Sequence, residues 1–322
     1  MKFWSATGKW LGDVGQKILR ARPSKKIITA LLILLVLFLA YTIYRERETL
    51  FSFQWQINWG YLAAAVIVHW FALVLMQINW HWMIANLGGS KSWQKNFYVY
   101  GLSQAARRIP APLFYLGGRF YLYPANETPP RVIAIATSLE MGLIGLNGIL
   151  CYLIFMPFYS TIPSEFPWWL FMLIGLVSTA VLVAFPNLFV NLLNLFLHWI
   201  RRTPLDDRIS RGAILAWLVI YQLVWIVDGL ALYLTTLGLI RDVPGWGDVM
   251  AVSTLSALVG FISQFLPAGF GLKEMISGSL FSQWIPFGVG IVLAVGFRIL
   301  MTIVEIIWAW LCRILWGKQL GI

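Results

Sequence analysis

The stretch "FLPAGFGLKEMISGSL", residues 265–280, interrupts one of the most apolar regions of the chain. Pro267 stops helix propagation because its ring removes a backbone donor, and Gly269 and Gly271 permit an extended turn. A new helix is predicted to begin near Lys273, with its first backbone N–H groups unpaired. The stretch therefore predicts a broken helix within an apolar environment, and a simple kink in a membrane helix is the alternative.

The composition predicts that the bilayer is the solvent of this chain. Of its 322 residues, 60% are apolar and only 11% are charged, more apolar surface than a soluble domain can bury. A helix that crosses the hydrocarbon core needs about 20 predominantly apolar residues. Seven windows are predicted to be continuous spans: 27–44, 61–83, 132–156, 168–185, 213–237, 247–265 and 286–311.

Two further windows, 93–123 and 266–283, are long enough to span but contain helix breakers. The first includes "RRIPAPLFYLGGR", residues 107–119, with two prolines, a Gly-Gly pair and three arginines. Irregular backbone occurs at membrane depth only where it is buried in protein or lines a wet cavity. The predicted fold is therefore an all-α, polytopic integral membrane bundle with two re-entrant or broken helical segments, the first of them opening to the cytoplasm.

The basic charge follows a topology pattern. The net charge is +11, and residues 1–26, 86–131 and 201–211 hold seven, six and four Lys or Arg residues. The positive-inside rule places these regions in the cytoplasm and the chain in the cytoplasmic (inner) membrane as a multi-pass protein. We therefore expect no nucleic-acid partner. Residues 1–26 are predicted to be a cytoplasmic basic amphipathic segment, with a solvated tail as the alternative, and residues 27–315 a single membrane domain.

Several ionisable side chains are predicted to lie within the membrane. Each would cost about 2.5 to 3.5 kcal/mol at the centre of a lipid-facing helix, so they are expected to meet one another or a polar cavity. A structural ion-pair network and a hydrophilic path both satisfy that requirement. His69, on the second span, is interpreted as an interhelical hydrogen-bonding residue. The intramembrane set is Arg119, Glu140, Asp228, Lys273, Glu274, Arg298 and Glu305.

Enzyme and metal signatures are missing from the sequence. It has no GxxxxGK[ST] loop, no strand-based GxGxxG, no HExxH and no CxxC, and its three histidines are scattered. We therefore predict no catalytic residue, no metal and no cofactor. Cys151 and Cys312 are expected to be free thiols in or beside membrane spans.

Two separate stretches are similar to one known family. "RRIPAPLFYLGGRFYLYPANETPPRVIAIATSLEMGL", residues 107–143, and "FLPAGFGLKE", residues 265–274, resemble the integral membrane family named for the membrane region of lysylphosphatidylglycerol synthase. That family includes the flippase portion of multiple peptide resistance proteins and the membrane half of archaeal dolichol-linked glycosyltransferases. The sequence departs from the family pattern at Ala111, where Gly is frequent, and at Lys273, where Arg is commoner. The matching positions are Pro110, Arg119, Glu140, Pro267, Gly269, Gly271, Lys273, Glu274 and Arg298.

The resemblance implies a flippase-like translocase for a lipid with a charged or glycosylated head group. The expected partner is an anionic phospholipid or a polyprenyl-phosphate-linked sugar, and an oligomer is compatible with this role. The arginines and Lys273 would contact phosphate, and the carboxylates would balance them. The predicted substrate-binding set is Arg119, Glu140, Asp228, Pro267, Gly269, Gly271, Lys273, Glu274, Arg298 and Glu305.

Two alternatives remain open from the sequence. One is a membrane-embedded transferase that uses Glu140 or Asp228 as a general base. The other is an accessory subunit that stabilises a separate glycosyltransferase or another lipid-modifying enzyme.

Overall fold

The fold was analysed on a computed structural model. It describes residues 44–106, 113–159, 168–185, 209–263 and 271–317, together with positions 41, 187, 188, 191, 194 and 195. These residues are helical and contain no strand, and one isolated bridge joins Trp55 to Ile240. The predicted all-α membrane bundle is confirmed.

The described residues form ten α-helices with defined bounds. Four of them, including short extensions at the carboxyl ends of α5 and α10, are long and apolar enough to cross a membrane: α2, α5, α7 and α10. The helices are α1 Arg47–Ser52, α2 Trp59–Asn86, α3 Trp93–Ala106, α4 Leu113–Leu122, α5 Pro130–Phe155, α6 Trp168–Ala184, α7 Arg211–Leu239, α8 Trp246–Ser263, α9 Leu272–Phe281 and α10 Phe287–Cys312.

Four of the seven predicted continuous spans are confirmed, since windows 61–83, 132–156, 213–237 and 286–311 coincide with these four helices. The predicted windows 168–185 and 247–265 correspond to the shorter helices α6 and α8, of 17 and 18 residues. Such helices are about 25 Å long, less than the usual thickness of the hydrocarbon core. Nearly all of the first window, 27–44, lies outside the described residues.

The two broken segments are built from short helices. In the first, α3 has 14 residues and α4 has 10, and the two pack against each other. The described parts of these helices extend about 15 to 21 Å, less than the thickness of the hydrocarbon core. In the second, α9 has 10 residues and packs against α8. Pro267 and Gly269 lie outside the described residues.

Helices α2 and α7 form a central antiparallel pair. The Asn58 N–H, just before α2, donates to Gly238 O near the end of α7 at 2.8 Å. Farther along, Asn79 Nδ2 donates to Trp217 O at 3.4 Å. We call the two ends of the bundle the Trp59 end and the Asn86 end, after the first and last residues of α2.

The bundle has two similar halves in opposite orientation. The first contains α2, the short pair α3 and α4, and α5; the second contains α7, the short pair α8 and α9, and α10. The contacts between the halves correspond as well, because α5 packs on α8 while α10 packs on α3. In each half, the last long helix packs on the first short helix of the other half, which is the pattern expected of an inverted repeat about the α2–α7 contact.

The short pairs enter the bundle from opposite ends. Helix α3 begins at the Asn86 end, where Trp93 stacks on His81 with ring centroids 3.7 Å apart. Helix α8 begins beside Phe158, which follows the far end of α5 and therefore lies at the Trp59 end. The two short pairs therefore begin at opposite ends of the bundle.

We expect Gly290→Ala to destabilise the packing of α9 against α10. A Cβ at Gly290 would lie 3.1 Å from Gly278 Cα and 3.2 Å from Gly278 O, and this backbone cannot move aside as a side chain would. Overpacking of this kind costs about 1 to 3 kcal/mol, measurable as a lower unfolding temperature in detergent. The matched control is Gly296→Ala on the same helix, where the added Cβ would meet nothing within 4 Å. Equal unfolding temperatures for the two variants would contradict this packing.

Candidate functional site

The first charged cluster joins α4 to α5 through Arg119 and Glu140. The Arg119 side chain is 1% exposed and that of Glu140 is 4% exposed. Arg119 Nη1 donates to Glu140 Oε2, and Nη2 donates to Oε1 at 3.3 Å, which makes the ion pair bidentate. Glu140 Oε1 also accepts from the Tyr100 hydroxyl at 2.8 Å. Both charges are therefore neutralised inside the protein.

The remaining surroundings of Arg119 enclose its guanidinium. Its Nε donates to Ser103 Oγ and its Nη1 to Thr137 Oγ1, both at 3.3 Å. Its Cζ lies 3.9 Å from the centroid of the Trp80 ring and 4.9 Å from that of Tyr100. A cation held over aromatic rings in a desolvated site is strongly stabilised. In this conformation the Arg119 guanidinium faces protein groups, and a ligand could reach it only if the cluster opened.

The second charged cluster joins α9 to α10 through Glu274 and Arg298. Arg298 Nη1 donates to Glu274 Oε1 at 2.6 Å. Glu274 is buried, whereas the Arg298 side chain is 33% exposed. Glu274 Oε2 is buried and has no hydrogen-bond partner among the described residues. The Arg298 side of this ion pair is partly exposed, and one Glu274 oxygen has no acceptor interaction with the described residues, which is costly for a buried group.

The second cluster also lies at the start of a helix. Gly271 precedes α9 with a φ of 87°, a left-handed conformation that favours glycine. Lys273 is the second residue of α9, and its Nζ lies 5.9 Å from the centroid of the Phe297 ring. A cation at the amino-terminal turn of a helix makes this position favourable for an anion.

The third charged cluster joins α2, α7 and α10 through His69. Its Nδ1 lies 3.0 Å from Asp228 Oδ1 and its Nε2 lies 3.5 Å from Glu305 Oε1. The interpretation of His69 as an interhelical hydrogen-bonding residue is confirmed by its bond to Asp228. Glu305 and Arg298 both lie on α10, and each meets a charged or titratable side chain on another helix.

The sequence-predicted charges therefore meet in three clusters, each between different helices. Gly271 and Lys273 flank the start of α9 beside the second cluster. The sequence did not predict the aromatic side chains around Arg119. One signal was available for Tyr100: it lies three residues before Ser103, which also contacts Arg119, and the two share one face of α3. No periodicity in α2 distinguishes Trp80 from the many other aromatic residues of the chain.

A neutral hydrogen-bond network fixes the first broken segment at the Asn86 end. Trp80 Nε1 donates to the Tyr123 hydroxyl at 3.0 Å, and that hydroxyl donates to Asn96 Oδ1 at 2.8 Å. Asn96 Nδ2 lies 2.8 Å from His81 Nδ1. These residues come from α2, from α3 and from the segment after α4. The network therefore bonds both members of the short pair to α2 at the Asn86 end.

Comparisons of the chain with protein-family models, with curated proteins and with solved structures found no match.

We expect a strong energetic coupling between Arg119 and Glu140. Removing one partner of a buried ion pair leaves an uncompensated charge and typically costs about 3 to 5 kcal/mol. Arg119→Met and Glu140→Leu should each lower stability by that order, while the double variant should lose clearly less than their sum. Reversible unfolding in mixed micelles gives the double-mutant cycle.

Arg298→Met provides the comparison for this cycle, because its side chain is partly exposed. It should destabilise the protein less than Arg119→Met does. Additive effects of the Arg119 and Glu140 substitutions would contradict the coupling.

Proposed function

We propose that this protein is a translocase that moves a lipid with a charged or glycosylated head group across the cytoplasmic membrane, with its amino terminus in the cytoplasm. The observation that carries the proposal is the cluster of Glu274 and Arg298. It combines a partly exposed guanidinium, a buried carboxylate oxygen with no hydrogen-bond partner in the part of the chain that the structure describes, and a helix start that carries Lys273. Arg298 lies 11 residues after Phe287, about 16 Å along α10 and therefore near the middle of a bilayer.

These groups match the chemistry of a phospholipid or lipid-phosphate head group. A phosphate oxygen would accept from the exposed side of Arg298 and from Lys273, as charge-assisted hydrogen bonds. Glu274 Oε2 would accept from an ammonium or a sugar hydroxyl of the same head group, which would satisfy its missing hydrogen bond. The lipid class favoured is thus one that carries both a phosphate and a donor group.

The arrangement of the halves supports a path from each side. The two short pairs enter from opposite ends, and each ends beside an ion pair with the following long helix. The Arg119–Glu140 pair is enclosed, whereas the Glu274–Arg298 pair is partly exposed. We infer that the head group passes between these clusters while its acyl or prenyl chains remain in the bilayer, and that the two ion pairs open in turn.

This function requires no covalent step. The head group would exchange its hydration shell for Arg298, Lys273 and Glu274, which offsets the cost of bringing its charge to membrane depth. The basic regions 1–26, 86–131 and 201–211 would meet anionic lipid at the cytoplasmic surface.

The proposal predicts that Arg298→Gln slows lipid movement. Loss of a hydrogen bond to a charged group costs about 1.5 to 3 kcal/mol, so the transport rate should fall roughly tenfold to a hundredfold. The measurement is transbilayer movement of head-group-labelled phospholipids and of a polyprenyl-phosphate-linked sugar in liposomes that contain the purified protein.

Arg47→Gln is the matched control, since it removes the same charge from an exposed side chain before α2. It should leave the rate unchanged. If the wild-type protein moves none of these lipids, the translocase proposal is wrong. Formation of a modified lipid by the pure chain would then indicate the transferase alternative, and stabilisation of a co-purified glycosyltransferase would indicate the accessory role.

A further inference from the structure

The third cluster lies where the two halves of the bundle meet. His69 is on α2 and Asp228 is on α7, so their hydrogen bond crosses the central antiparallel pair. Glu305 adds the last helix of the second half. His69 follows Trp59 by ten residues, about 15 Å along the helix, and therefore lies deep in the bundle.

The geometry of this cluster favours a proton beyond those of a neutral ring, since His69 Nε2 is buried 3.5 Å from Glu305 Oε1 but makes no hydrogen bond among the described residues. A neutral imidazole has one N–H and one lone pair, whereas each ring nitrogen of His69 faces a carboxylate oxygen. If both carboxylates were ionised and the ring neutral, a lone pair would point at a negative oxygen. The contacts are attractive when His69 is an imidazolium or when one carboxylic acid supplies the missing proton.

The cluster is accessible on one side only. The side chains of His69 and Glu305 are each 7% exposed, whereas that of Asp228 is 30% exposed. A partly exposed carboxylate at this depth is tolerated where it faces water and not lipid. Asp228 is therefore the entry point for a proton, and His69 relays it to the enclosed Glu305.

The imidazole itself occupies the space between the carboxylates, an arrangement that suits a proton better than a metal ion.

The charged side chains that act on His69 among the described residues are Asp228 and Glu305. Of the other helices on α2, α3 carries Lys95 near the Asn86 end, and α5 carries Glu140, which is held by Arg119. The cations of neighbouring helices α9 and α10 are Lys273 and Arg298.

We propose that His69, Asp228 and Glu305 form a proton-binding site that couples lipid movement to a proton gradient. This inference rests on the proposed translocase function and adds its source of energy. One proton binds at Asp228 and His69 from one side of the membrane and leaves to the other side as the head group crosses. No covalent bond other than those to the proton is formed or broken.

Helix α10 connects the proton site to the head-group site. Glu305 and Arg298 lie on this helix seven residues apart, about 10 Å along the axis. When the cluster loses its proton, repulsion between the His69 lone pair and the Glu305 carboxylate favours separation of α10 from α2. That movement would also displace Arg298 relative to Glu274 on α9 and open the ion pair to the head group.

The inference predicts that a pH gradient drives lipid asymmetry. With one proton carried per lipid, a gradient of one pH unit should give about a tenfold difference in labelled lipid between the leaflets at steady state. His69→Gln, Asp228→Asn and Glu305→Gln should move lipid without this asymmetry. His81→Gln is the matched control, since His81 pairs with Asn96 and contacts no carboxylate among the described residues, and it should keep the wild-type asymmetry.

A second measurement tests proton binding without lipid transport. An infrared titration of the purified protein in lipid should show a protonated-carboxyl band that grows as the pH falls and is lost in Asp228→Asn or Glu305→Gln. Because this readout needs no transport, it also reports on a variant that cannot move lipid.

Three outcomes would overturn the inference. Lipid could move but reach the same leaflet distribution with and without the pH gradient, or a sodium gradient could produce the asymmetry when no pH gradient is present. The third outcome is a protonated-carboxyl band that neither substitution changes. No movement of any lipid under any condition would instead overturn the translocase function, and the titration would still decide whether the cluster binds a proton.

Discussion

The cost of placing charge in hydrocarbon is the constraint on which the rest of this structure depends. An ionised side chain that faces lipid costs several kcal/mol, so intramembrane charges must find partners on other helices. Arg119 binds Glu140, Arg298 binds Glu274, and Asp228 and Glu305 meet at His69. Each contact joins different helices, and together they hold short helices such as α4 and α9 that could not cross the membrane alone.

The two oppositely oriented halves each contain an ion pair between a short helix and the long helix that follows it. The ion pairs join equivalent helices, α4 with α5 and α9 with α10, but the cation is on the short helix in the first half and on the long helix in the second. One pair is caged by aromatic rings and the other is partly open. Between them, the His69 cluster spans the α2–α7 contact about which the halves are related. In the proposed coupling, a charge change there acts on both halves and, through α10, on Arg298.

Much of the candidate site could be predicted because charged residues are rare in apolar segments and hence conspicuous. Proline and glycine identified both broken segments. The aromatic enclosure of Arg119 could not be predicted, since Trp80 is one of 18 tryptophans in the chain and only packing selects it. His69 was recognised as a hydrogen-bonding residue, but its second carboxylate comes from a helix more than two hundred residues later.

The sequence by itself determined the bilayer as solvent, four of the spanning helices and the places where helices must break. These properties follow from local composition: apolar length sets a span, and proline and glycine interrupt it. Only the tertiary structure decided which charges pair, which pair is enclosed and that two carboxylates share one histidine. Such choices depend on the relative rotation and depth of helices distant in the chain, and small residues set these by close packing, as Gly278 and Gly290 do for α9 and α10.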